Sequence, residues 1–297
     1  MTIHSTTTVE IRDTKIGERP HVQTTMERWH AAGASGFLLD TYPQVFSTEA
    51  DAVSVCAFAH GKVVSHAAYR EVSLATSAGD AHVYLVGSVA TAPEMRERGF
   101  ASDVLSEIVQ RGEAAGVDAV LLWSDKWGFY QRLGFEPAGR QVELVIKPRP
   151  GTLAAGIRPA HAGDLLDLLT LHRLKPLRVE RSLHDMALLL GVPRMTTMVL
   201  ERGHRVVAYA CFGKGIDFQG WWHELGGSDG DLATLILGTM EVMGIEKSTV
   251  LMPPYRPELL RRLGPSLVSS HEGAGALRRA LTPIGNADFF VDGLDSI

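Results

Sequence analysis

Long apolar runs are missing from this sequence. Although 45% of its 297 residues are hydrophobic, none of its apolar stretches approaches the roughly eighteen residues that a helix needs to cross a bilayer. No membrane partner is expected. Cysteine is nearly absent too: Cys56 and Cys211 each sit inside an apolar, strand-like run. Two such residues make no disulfide framework and read as buried, reduced thiols. A basic surplus is also lacking, because 29 Lys and Arg face 34 Asp and Glu for a net charge of −5. Nucleic acid is therefore not the expected partner, since phosphate binding needs a positive field. A cationic amine remains compatible. Met1 to Lys15 is polar and threonine-rich, without the apolar segment of a signal peptide, so the expected location is cytoplasmic.

What is present is a run of strand and helix patterns laid out twice. Ile11-Arg12 opens a short strand, and Glu18 to Ala32 reads as a helix ended by Gly33. Val53 to His60 and Val63 to Leu74 suggest a hairpin about His60-Gly61-Lys62, and His82 to Thr91 a further strand. Between Phe100 and Ala115 apolar residues recur at helical spacing until Gly116. A strand over Val117 to Trp123, a short helix from Trp127 to Leu133, and strands near Phe135 and Val142 to Ile146 complete this half. Lys147-Pro148-Arg149-Pro150-Gly151 is a stiff linker. Beyond it the plan recurs: a strand at Ile157, helices over His161 to Lys175 and Leu183 to Leu190, a hairpin about Arg202-Gly203-His204, a strand at Trp221, a helix from Leu232, and a strand from Ser248. Leu260-Arg261-Arg262-Leu263-Gly264 then lies over Tyr130-Gln131-Arg132-Leu133-Gly134, as in a tandem duplication. The fold class is α/β (α+β), with two repeated mixed sheets flanked by helices.

Two local motifs carry chemistry. Arg96-Glu97-Arg98-Gly99-Phe100-Ala101-Ser102 joins a strand to a helix through a glycine-containing loop. The first amides of such a helix have no intrahelical partner and, with the helix dipole, suit a pyrophosphate. Gly99 permits close approach, and Arg96 and Arg98 add positive charge. One strand later, Tyr130 opens a tight turn before Gly134-Phe135. Tyr130 is either a proton donor or an aromatic whose hydroxyl caps the sheet.

Together with Val89-Ala90-Thr91-Ala92-Pro93, these motifs resemble the acyl-CoA site of the GCN5-related N-acetyltransferase (GNAT) superfamily. The resemblance covers Ile11 to about Ile146 with specific motifs and the second half in layout only. It implies two tandem GNAT-like domains, 1–148 catalytic and 149–297 a degenerate copy shaping the acceptor cleft. It further implies acetyl-CoA as co-substrate, no metal, and a small-molecule or peptide amine as acceptor, in a monomer or homodimer. Val89, Ala90 and Thr91 would pair with the pantetheine arm, and the Val89 N–H would face the thioester carbonyl. The amides of Arg96 to Ser102 would hold the pyrophosphate, and Tyr130 would protonate the departing thiolate.

The chain departs from the family pattern in places. Leu85 stands where a glutamate base is common, Trp123 where asparagine is, and Lys126 replaces a small residue. His82, Tyr84, Ser88 and Asp125 are nearby candidates for the base, beside a water chain. In the second half, Gly226-Gly227-Ser228-Asp229-Gly230-Asp231 puts carboxylates where the first half has arginines, and Leu260 replaces the tyrosine. Those acids are expected to repel a pyrophosphate. Trp221-Trp222-His223-Glu224 is a polar-aromatic cluster that either packs as core or interface, the commoner place for strand tryptophans, or lines the acceptor cleft and attracts an amine. The tail Ala287 to Ile297 ends on apolar residues, which suggests a docked terminal strand. A sharper expectation follows from a resemblance to tandem acetyltransferases of the enhanced-intracellular-survival type, in which a terminal carboxylate reaches the active site. An acyl-CoA-binding sensor without catalysis and a transferase of longer acyl groups are the competing readings.

Overall fold

The computed structural model describes residues 9–30, 37–149, 151–152 and 154–297. The expected helix stop at Gly33 and the linker residue Pro150 lie outside the described residues. In the first half, β1 (Val9–Asp13) leads to α1 (Arg19–His30), α2 (Phe37–Thr41) and α3 (Pro43–Phe46). Then come β2 (Val53–Ala59), β3 (Lys62–Thr76) and β4 (Gly79–Thr91), a meander that matches the expected hairpin and strand. The helix α4 (Phe100–Ala115), β5 (Ala119–Leu122), α5 (Trp127–Gln131) and β6 (Glu136–Ile146) follow.

The second half repeats this order. It runs through β7 (Ile157–Pro159), α6 (Leu165–Arg173), a short β8 (Arg178–Val179), α7 (Leu183–Leu190), β9 (Thr196–Arg202) and β10 (Arg205–Phe212). It ends with β11 (Trp221–Gly227), α8 (Asp229–Met243), β12 (Ser248–Met252), α9 (Pro257–Leu263) and β13 (Leu267–Ala280).

The two expected sheets are joined into one. The strand order is β1-β2-β3-β4-β5-β13-β6-β12-β11-β10-β9-β7, so each half hands its last strand to the other. β13 pairs β5 of the first half, β6 pairs β12 of the second, and β6 and β13 run antiparallel between them. The cores follow the exchange. Leu277 of β13 packs with Val86, Val104 and Val120, whereas Val142, Leu144 and Ile146 of β6 pack with Trp222, Ile236 and Val250. This corrects the expectation of two strands between Phe135 and Ile146. A single strand passes through Pro137 and Gly139, and its neighbour comes from the other half.

Burial explains the helices. α4 buries Phe100, Val104, Leu105, Ile108 and Val109 on one face. At about 1.5–3 kcal/mol per buried side chain, that stripe is what fixes the helix on the sheet. Cys56 and Cys211 are free and buried, as expected. The tail is not a strand: after β13 only a 3-10 turn at Ile284–Asn286 is regular. Charge docks it instead. Asp292 meets Lys175 at 2.9 Å and Asp295 meets Arg181 at 2.5 Å, all four buried.

Candidate active site

The site begins where two strands part. β4 and β5 run parallel from Val83↔Ala119 to Val86↔Leu122, after which β4 continues to Thr91 while β5 has ended. The continuing stretch is irregular. Pairing with β3 steps from Gly87↔Ala68 to Ala90↔His66, so Ser88 and Val89 together oppose Ala67. Ser88 has a φ of 52°, and this bulge turns the main chain of Ser88 and Val89 toward the gap that β5 vacates.

A cleft of about 380 Å³ opens there. Gly87, Ser88 and Val89 form its floor, Trp123, Ser124, Asp125 and Tyr130 one wall, and His30, Leu38 and Tyr42 from the α1 to α3 segment the other. Ile216 and Asp217 of the second half and Ile297 close it. Tyr130 is buried to 6% exposure, edge-on to Phe129 at 4.9 Å, and its carbonyl accepts from the N–H of Leu133 and Phe135 as the turn tightens. Burial pushes its phenol up, so the hydroxyl stays protonated well beyond neutral pH. Asp217 is crowded by protein yet open to the cleft; the crowding raises its carboxyl, and Tyr42 Oη donates to it. Crowding by neighbouring protein, and then the charge of Lys126, lower the His30 imidazole, although the residue is open to the cleft.

Just beyond the bulged end of β4, after Thr91, comes the loop read from sequence as an anion cradle. Arg96 Nε donates to the Thr91 carbonyl at 3.4 Å. Glu97 and Gly99 both have positive φ, 61° and 89°, with Arg98 between them. Positive and negative φ thus alternate, as in loops whose successive amides converge on an anion, and the positive φ at Gly99 is one that a glycine adopts without strain. Asp103 N–H bonds Gly99 O at 3.0 Å, which leaves the amides before it at the helix mouth. Arg96 and Arg98 are exposed beside that mouth. Ala101 and Ser102 lie in its first turn. The Thr91 hydroxyl pairs with Ser65 at 2.9 Å, and Ala90 and Thr91 lie outside the lining of the cleft. These donors and this open gap fit a pantetheine arm ending in a pyrophosphate.

Of the base candidates read from sequence, Ser88 and Asp125 line the cleft and two do not. Tyr84 is buried against Tyr69 at 4.4 Å, and His82, whose N–H bonds Asp118, is exposed elsewhere on the sheet. Leu85 is fully buried. Of the two readings of the Trp221 to Glu224 cluster, the core one holds. Trp222, His223 and Glu224 are fully buried in the second half and do not reach the cleft. Glu224 accepts from Lys175, Arg181 and Tyr209, and although burial opposes its charge, Arg181 and Lys175 hold its carboxyl well below the usual range. His172, Glu224 and Asp292 could geometrically surround a metal, but the Lys175 ammonium already lies between the two carboxylates.

Several lining residues had no sequence signal, among them His30, Tyr42 and Asp217. The tail did have one: Ile297 lies in the cleft, packed on Gly87. In the second half Asp229 turns inward to Arg256 at 2.6 Å and to the Leu259 N–H at 3.0 Å. Asp231 takes up Ser228 and Arg202, and Leu260 packs against the core.

Residues 22–138 match the acetyltransferase (GNAT) domain family. No curated protein matches the chain. Among solved structures, a conserved protein from Enterococcus faecalis V583 described as a probable N-acyltransferase superposes with a TM-score of 0.71 at 13% identity, over 94% of this chain and 74% of that one. A GCN5-related N-acetyltransferase from Kribbella flavida gives 0.69 at 16% identity, over 94% and 73%. Eis1 from Mycobacterium abscessus gives 0.61 at 13% identity, over 92% and 74%. At these identities the likeness is one of fold.

Proposed function

We propose, for a chain whose residues 22–138 belong to the GNAT acetyltransferase domain family, that it moves an acetyl group from acetyl-CoA to a primary amine by direct attack. The observation that carries this reading is the bulged end of β4, where Ser88 and Val89 face a cleft that Tyr130 also lines. The catalytic half is 1–148, and 149–297 contributes cleft wall and tail.

The acyl donor supplies the activated thioester. Main-chain groups of Val89, Ala90 and Thr91 would align its arm, and the amides from Arg96 to Ser102 its pyrophosphate. The Val89 N–H would donate to the carbonyl oxygen as charge gathers there. Tyr130 Oη would give its proton to the departing sulfur. Asp125 and Asp217 draw an ammonium into the cleft. Asp217, whose carboxyl is raised by crowding and which lines the cleft, is placed to take the proton of the amine.

Calorimetric titration of acetyl-CoA, run beside thiol release with a panel of small and peptide amines, tests this. Saturable binding with amine-dependent release is expected. Binding without release for any amine would favour a sensor, the reading that the buried Leu85 supports. Absence of binding would reject both.

A further inference from the structure

His66 lies on β3 beneath the bulge. Its ring is fully buried, and its Nδ1 is 2.8 Å from the Ser88 carbonyl oxygen. A carbonyl only accepts, so Nδ1 carries the hydrogen. Burial holds the imidazole down to about 4, which keeps the ring neutral and makes Nε2 a bare acceptor. Among the described residues that Nε2 has no partner. A buried, half-satisfied imidazole is costly in a core of Cys56, Ala68 and Ala90, where an aliphatic side chain would pack without penalty. The single bond that His66 makes is therefore its reason for being there.

That bond falls on the residue that the ladder cannot serve. Ser88 and Val89 share one β3 partner, so the Ser88 carbonyl needs a donor from outside the regular pairing. The Ser88 carbonyl and the Val89 N–H belong to one planar trans peptide and point in opposite directions. With the oxygen drawn toward β3, the N–H faces the opposite edge, where β5 has left the sheet.

We propose that His66 is a positioning residue, whose ring N–H anchors the Ser88 carbonyl and thereby holds the Val89 N–H aimed into the cleft. The inference deepens the acyl-transfer reading and rests on it for its kinetic consequence. The geometric part stands without it.

The test uses His66→Asn, His66→Leu and His66→Gln in the full chain. Asparagine keeps a donor near the Nδ1 position, leucine removes it, and glutamine moves it toward the Nε2 side. Amide hydrogen exchange at Ala90 and Ala92, the ladder positions beside the bulge, should quicken in the leucine and glutamine variants and stay near wild type in the asparagine variant. In steady-state thiol release, kcat should fall about 10²-fold in the first two, with KM for acetyl-CoA little changed and asparagine restoring most of the rate. If His66→Leu does not fold, the Gln and Asn pair decides. Equal exchange in all variants, or an Asn variant as impaired as the Gln variant, overturns the proposal. A wild-type protein that releases no thiol rejects acyl transfer instead, and the exchange data then still decide the anchoring.

Discussion

The main-chain oxygen of Ile297 lies 1.9 Å from where a Cβ on Gly87 would stand. Only glycine leaves room for that approach, on the strand segment that also presents Ser88 and Val89 to the cleft. The tail is thus part of the site's wall, held there by Lys214 and by the buried pairs of Asp292 and Asp295.

Gly87→Ala should expel this end of the chain. The backbone at Gly87 has no positive φ, so alanine meets no conformational barrier and the clash alone acts. A cost of about 1–3 kcal/mol is expected for overpacking, read as a lower denaturation midpoint. Turnover should fall while acetyl-CoA still binds. A variant with wild-type turnover would remove Ile297 from any part in the reaction.

What was legible in the sequence was what local patterns encode. The stripe of α4, the loop ending at Gly99 and the turn after Tyr130 each depend on residues within one turn or strand of each other, and each stands as expected. The exchange of β6 and β13 was not legible. β13 reads LVSSHEGAGALRRA, neither alternating nor apolar, because much of its length is exposed and strand pairing on both edges holds it. The cleft residues Tyr42 and Asp217 are 175 positions apart, and nothing in either segment announces the other. Glu224 shows the same limit: its partners Lys175 and Arg181 lie more than forty residues away, so nothing local marks it as a member of an interior ion cluster.

Tyr130→Phe separates the acid role from the structural one. The ring's packing on Phe129 and Phe135 survives the change, so the fold and acetyl-CoA affinity should hold. Loss of a general acid typically costs on the order of 10²–10⁴ in rate, and kcat should drop within that range. Because burial raises the phenol, the wild-type rate should show no alkaline decline from Tyr130 below about pH 10. A phenylalanine variant with unchanged kcat would leave the hydroxyl as a cap on the sheet.

Lys214 ties the tail to the second half and should make its docking sensitive to pH. Its ammonium, 1% exposed, donates to the carbonyls of Gly293, Leu294 and Ser296 at 2.9, 3.0 and 2.9 Å. Burial nevertheless lowers its pKa to about 7 from 10.5, with Asp295 opposing the shift. Between those values the unfolded chain holds a proton that the folded one has released, so stability rises with pH, by up to about 1.4 kcal/mol per unit. Below about pH 7 both states carry the charge and the dependence vanishes. Lys214→Met removes the whole effect and leaves three carbonyls without their donor, at a cost of about 1–3 kcal/mol. The difference in unfolding free energy between wild type and variant should therefore widen as pH rises from 7 toward 10, in denaturant titrations at each pH. Because the tail carries Ile297 to Gly87, the same variant should lose turnover along with stability. A difference that is flat with pH would show that Lys214 keeps its proton throughout, and intact turnover would free the cleft from dependence on this clamp.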